Sequence, residues 1–273
     1  MRFRDTLPDI NRLSIVAAAI MLAFALTLIV SFPAQEFTFN FLGILLRFSL
    51  NFSNLTILLT ALLAAAGMEW LIQSHPDFPR SSNRLFSIRH WILPVLTTLV
   101  IGVALNNFRK GVFWWVIFGL GSLLLMAVFI AEYNVVNVGS VRHPLAAIGL
   151  TGLSFALYLL MTIAIYSANL RLYIRIPLLA VGAMMMISRS LYLRLGKWYP
   201  LWALLDSLIV TEIAVGFHYL PVAPIQIGLI LVGVAYGLTG VVSGIKESRR
   251  GWAFWAEPVG MLAVLIVIGI FWH

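Results

Sequence analysis

Runs of about twenty apolar residues recur along the whole chain, and they restrict its fold more than any other feature. A helix rises ~1.5 Å per residue, so ~20 residues cross a hydrocarbon core of ~30 Å. Within that core each backbone N–H and C=O must find its partner in the same helix or in a closed barrel. Nine runs qualify, near 13–32, 53–73, 90–106, 111–131, 144–167, 173–193, 198–219, 224–245 and 253–273. The third is the shortest, and Asn106-Asn107-Phe108-Arg109-Lys110-Gly111 follows it at once, so an eight-span chain with 90–131 folded differently is the alternative. The predicted fold class is an all-α, polytopic helical membrane bundle of eight to nine transmembrane helices. It forms a single transmembrane domain over 1–273, with a short outer β-hairpin at 37–52.

Composition removes the competing classes. Of 273 residues 62% are hydrophobic and 10% charged, against roughly 45–50% and about 25% in soluble domains. The net charge of +8 is spread as single residues and short groups between apolar runs. That placement excludes a nucleic-acid partner, which needs basic runs set in polar surface, and makes the lipid bilayer the partner. Cysteine is absent, so disulfides, thiolate metal sites and a Cys nucleophile are excluded. His75, His90, His143, His218 and His273 show neither H-x-x-x-H nor H-E-x-x-H spacing, so no haem or zinc is expected. Gly-x-Ser-x-Gly and Asp-rich diphosphate motifs are also missing, and the expectation is no cofactor and no metal.

Lysine and arginine set the orientation. With the N-terminus inside, thirteen of the eighteen fall on the cytoplasmic side, and Arg47, Arg109, Lys110, Arg171 and Arg175 fall outside. The predicted location is a plasma (inner) membrane of bacterial type with a cytoplasmic N-terminus. The first run is read as a retained helix, because Ser31-Phe32-Pro33-Ala34 is a poor signal-peptidase site. Alternation over Phe37 to Leu42 with Gly43 at the turn predicts the hairpin, its Phe face laid on the outer leaflet. The polar, Pro-broken segment from Ser74 to Arg84 is read as a basic loop beside anionic headgroups.

Ionisable residues inside spans carry the functional signal, since each costs at least ~2.5–3.5 kcal/mol at a helix centre. Residues 189 and 206 are equidistant from a turn centred at 197.5, so an antiparallel hairpin puts Arg189 and Asp206 at one depth. A structural ion pair between them is predicted, with Ser188, Ser190 and Ser207 close by. The same construction sets Arg175 opposite residue 220, beside His218 and Tyr219. Glu212 falls opposite Ala183 with no charged partner, and Thr211 and Tyr158 are its candidate partners. Glu257 begins the last helix in Trp255-Ala256-Glu257-Pro258. Glu69, Glu132, Arg189, Asp206 and Glu257 all fall in the cytoplasmic third. Converging, they would form a polar pocket opening inward; otherwise Glu69 and Glu132, near the inner ends of their helices, are ordinary interfacial carboxylates, the reading taken for those two. Gly233, Gly237, Gly240 and Gly244 line one face of the eighth helix, expected to serve close packing within the monomer.

The pattern points first to a small transporter or permease whose substrate or ion pathway uses Arg189, Asp206, Glu212 and Glu257. The alternatives are a non-catalytic subunit or assembly factor with a membrane-protein partner, and a lipid-modifying enzyme with Asp206 or Glu257 as general base. No sequence motif chooses among the three.

Overall fold

Helix starts and stops follow from identifiable side chains. Asp9 caps α1 (Ile10–Ile29) by accepting from the Asn11 and Arg12 amides, and Asn51 caps α2 (Phe52–Ile72) through the Asn54 amide at 2.8 Å. Such caps satisfy amides that have no partner within the helix. Between the two helices the predicted hairpin forms, displaced slightly toward the N-terminus: β1 (Gln35–Phe41) pairs antiparallel with β2 (Ile44–Leu50), Phe37 facing Phe48. Seven helices follow: α3 (Leu85–Asn107), α4 (Val112–Val135), α5 (His143–Ser167), α6 (Leu172–Leu195), α7 (Pro200–Phe217), α8 (Pro224–Lys246) and α9 (Ala253–Phe271). The α6–α7 turn is made by Gly196 in the left-handed region (φ 65°), and Pro200 then occupies the first turn of α7, positions suited to those two residues.

The computed structural model describes residues 8–30, 35–41, 44–76, 85–108, 111–137, 143–168, 170–248 and 253–271. The hairpin turn at Gly43, its lipid contact through Phe side chains, and most of the basic loop lie outside the described residues. Helices α1 to α8 are long and apolar enough to cross a membrane. The third run, the weakest in sequence, is a 23-residue helix that begins at Leu85 and so includes Arg89 and His90. The chain is thus a multi-pass integral membrane protein built as a helical bundle.

Contacts divide the chain into two compact units, Met1–Ser140 and Val141–His273. In the first, α2 packs on α1 and α3, and α4 packs on α1 and α3. Its core is Ile20, Phe24, Met68, Leu71, Leu125 and Phe129. In the second, α8 touches α5, α6, α7 and α9, around Leu179, Met186, Ile187, Val210 and Leu231. The glycine face of α8 is what lets α9 approach. A Cβ at Gly233 would lie 3.1 Å from Leu265 Cβ, and one at Gly240 would lie 2.9 Å from Pro258 Cγ. Buried hydroxyls mostly return their hydrogen bonds to their own helix: Thr97 to Leu93 O, Thr162 to Tyr158 O, Ser207 to Leu204 O, Thr211 to Ser207 O. In a membrane that is the cheapest way to satisfy them.

Candidate functional site

Each unit holds its own buried polar groups. In the first, α3 packs against α4, and His90 on α3 meets Glu132 on α4. The Nδ1 to Oε2 distance is 2.9 Å, and the side chains are 1% and 0% exposed. Pro94 has no N–H to offer the His90 carbonyl one turn back, which loosens the ladder at this point. Nearby, Trp91 Nε1 on α3 donates to Glu69 Oε2 on α2 at 3.0 Å, and Gln73 Nε2, at the end of α2, donates to Glu69 Oε1 at 2.9 Å. His75, also buried, packs with its ring centroid 4.6 Å from that of Tyr133, the planes tilted by 58°. Glu132 is therefore not the interfacial carboxylate expected from its position near a helix end, but the most deeply buried acid among the described residues. The signal for it was in the sequence: 111 is the midpoint of 90 and 132, the same equidistance that led to Arg189 and Asp206.

In the second unit α6 buries a cation at each end. Arg175 and Arg189 are fourteen residues apart, about 21 Å along the axis and close to the same azimuth. Between them the buried face is Leu179, Gly182, Ala183 and Met186. At one end the Arg175 guanidinium lies 2.6 Å from His218 Nδ1 and 4.6 Å from the Tyr166 ring centroid, and Tyr166 donates its hydroxyl to Ala214 O. This is the neighbourhood that the turn construction assigns to Arg175. At the other end Arg189 is fully buried, 5.3 Å from the Tyr192 ring centroid and within electrostatic range of His143.

Asp206 projects from the buried face of α7, which packs on α6, and is 4% exposed. Its Oδ2 has no hydrogen-bond partner among the described residues, nor do Ser190 Oγ and Tyr158 Oη. Ser207, next to Asp206, spends its hydroxyl on Leu204 O and brings it no support. Glu212 is not brought into the interior. Thr211 turns inward while Glu212 lies on the exposed face of α7 with Leu201, Leu205 and Leu208. Glu257 stands in the second turn of α9, its side chain outside those described. No group of three or more His, Asp or Glu side chains converges as a metal site among the described residues.

Chemically, the set comprises an imidazole and two carboxyls buried in spans, with two buried guanidinium groups on α6. No curated protein and no solved structure matches the chain. One family pattern does, over residues 32–272, from the hairpin to the last helix and so across both sets of buried charges. The chain belongs to the DUF5656 family, proteins of unknown function.

Proposed function

We propose that this protein is a small inner-membrane transporter with a cytoplasmic N-terminus, and that its ion pathway runs along the α6–α7 seam past Asp206 and Arg189. The observation that carries the reading is the Asp206 carboxyl. It lies in a membrane-spanning helix, almost wholly buried, with one oxygen lacking a hydrogen bond among the described residues. Leaving such a group unsatisfied costs about 1–3 kcal/mol, more if it is charged. A residue kept only to lock two helices would recover that cost through hydrogen bonds, so Asp206 is better suited to a mobile partner, a proton or a small cation. Arg189, in the last third of the neighbouring α6, supplies the opposite charge, and Glu257 adds an acid on α9.

The test is proton uptake into liposomes holding a trapped pH dye, driven by a potassium diffusion potential. Wild-type protein should exceed protein-free liposomes, and Asp206→Asn should fall to their level while keeping the thermal midpoint of the wild type. Equal rates for the variant and the wild type, or no uptake by the wild type, would overturn the reading.

Glu212 supports a second reading, a subunit of a larger membrane complex. Leu201, Leu205, Leu208 and Glu212 follow i+4, i+3 and i+4 spacing on one exposed stripe. A carboxyl on a lipid-facing stripe is costly, and a partner helix offering a Lys, Arg or amide donor would remove that cost. Native mass spectrometry from the source membrane should then show a stoichiometric second polypeptide that is lost with Glu212→Leu. A lone chain in both samples would count against it.

A further inference from the structure

The second unit also contains a groove that none of these readings uses. It has a volume of 510 Å³, within the ~300–1,000 Å³ of ligand sites, and runs between α5, α6 and α8. Its floor is aromatic: Phe155 and Tyr236 lie with ring centroids 5.4 Å apart. The α5 wall sets the small residues Ala147, Thr151 and Gly152 beside Ile148. Gly152 is exposed and a Cβ there would meet nothing within 4 Å, while the Thr151 hydroxyl is already committed to Ala147 O at 2.8 Å. From Ala147 to Phe155 the wall extends about 12 Å inward from the end of the span. Leu145 and Ile148, on the same helix, are 76% and 72% exposed, so the groove is reached from the side rather than closed over.

The rim carries one charge. Arg194, in the last turn of α6, holds its guanidinium 4.9 Å from the Tyr236 ring centroid. It makes no hydrogen bond or ion pair among the described residues. Its N–H donors are thus available to a carboxylate or phosphate, groups that the guanidinium fork fits. Lys246, packed against Tyr199 and Trp202, ends α8 beside the exposed Glu247, and the exposed Lys197 follows α6, so bases outnumber acids at this end of the unit. A soluble anion would leave the aromatic floor and the small-residue wall without a use. A neutral lipid would leave Arg194 without one.

We infer that this groove binds a membrane lipid with an anionic headgroup, the phosphate on Arg194 and an acyl chain lying along Gly152 toward Phe155. The inference is independent of whether the protein transports.

The test uses the full-length, delipidated protein in mild detergent. Native mass spectrometry follows titration with phosphatidylglycerol and with diacylglycerol of the same chains, which lacks the phosphate. Phosphatidylglycerol should bind about tenfold more tightly, the value of one charge-assisted contact. Arg194→Gln should reduce phosphatidylglycerol to the diacylglycerol level. Gly152→Leu should abolish specific binding of both, with an unchanged thermal midpoint because its side chain enters open space. Equal affinity of the wild type for the two lipids would overturn the inference, as would an unchanged preference in Arg194→Gln or retained binding in Gly152→Leu. Glycerol phosphate competing at the lipid's own concentration would also overturn it, because the occupant would then be a soluble anion.

Discussion

Replacing His90 or Glu132 tests whether the buried contact between α3 and α4 acts as a unit. The two side chains are essentially solvent-free and meet at 2.9 Å. His90→Ala leaves the Glu132 carboxyl buried without its imidazole, and Glu132→Ala leaves the imidazole buried without that carboxyl. Breaking a buried pair from one side costs about 3–5 kcal/mol, whereas replacing both members by apolar residues of similar volume is often neutral. The singles should therefore each lose about 3–5 kcal/mol, and His90→Leu with Glu132→Met should stay within roughly 1 kcal/mol of wild type. Interhelical hydrogen bonds in membranes average only about 0.6 kcal/mol and reach about 1.7. A coupling larger than that marks a charged pair, and a smaller one a neutral hydrogen bond. The assay is reversible unfolding in mixed micelles, followed by tryptophan fluorescence, for the wild type, both singles and the double. If the double loses as much as the two singles together, the pair is not a unit and the reasoning fails.

Other predictions follow from packing and topology. A Cβ at Gly67 would run into Val16 Cγ1, while one at Gly149 meets nothing. Gly67→Ala should therefore cost about 1–3 kcal/mol and Gly149→Ala should be neutral or gain up to about 1, read as thermal midpoints. A Gly67→Ala midpoint equal to wild type would show that α1 moves freely relative to α2. Arg175→Gln removes the guanidinium from His218 and Tyr166 and should cost about 1–3 kcal/mol in the same assay; no loss would mean that the end of α6 is not held there. Fusions at the C-terminus settle the number of spans. With the N-terminus inside and α9 crossing, alkaline phosphatase there is active and green fluorescent protein dark, and the reverse result means eight spans.

The helices were readable because a bilayer demands length and apolarity, and those are local properties of the chain. All nine runs appear as helices, and the third is longer at its start because Leu85 to Arg89 joins it despite the charge. Nothing in Gly139-Ser140-Val141-Arg142 marks the point where contacts divide into two units, because the division is made by which helices touch. Lipid-facing and partner-facing leucines have the same composition, so the exposed stripe of α7 was equally invisible.

Buried charges were readable in depth but not in direction. Equidistance from a turn fixes how far along the axis a side chain lies, and it correctly placed Arg175 near His218. It says nothing of azimuth, which advances about 100° per residue. That is why Thr211 is inside and Glu212, one residue on, is outside, although both share the predicted level. His90 and Glu132 satisfy depth and azimuth together, and the reward is a hydrogen bond with no solvent near it. Asp206 satisfies burial without a hydrogen bond at Oδ2 among the described residues. The contrast separates the two acids: Glu132 is held by a partner already in place, so its removal should be read first in stability. Asp206 has an oxygen without such a partner among the described residues, so on the proposed transport reading its removal should be read first in flux.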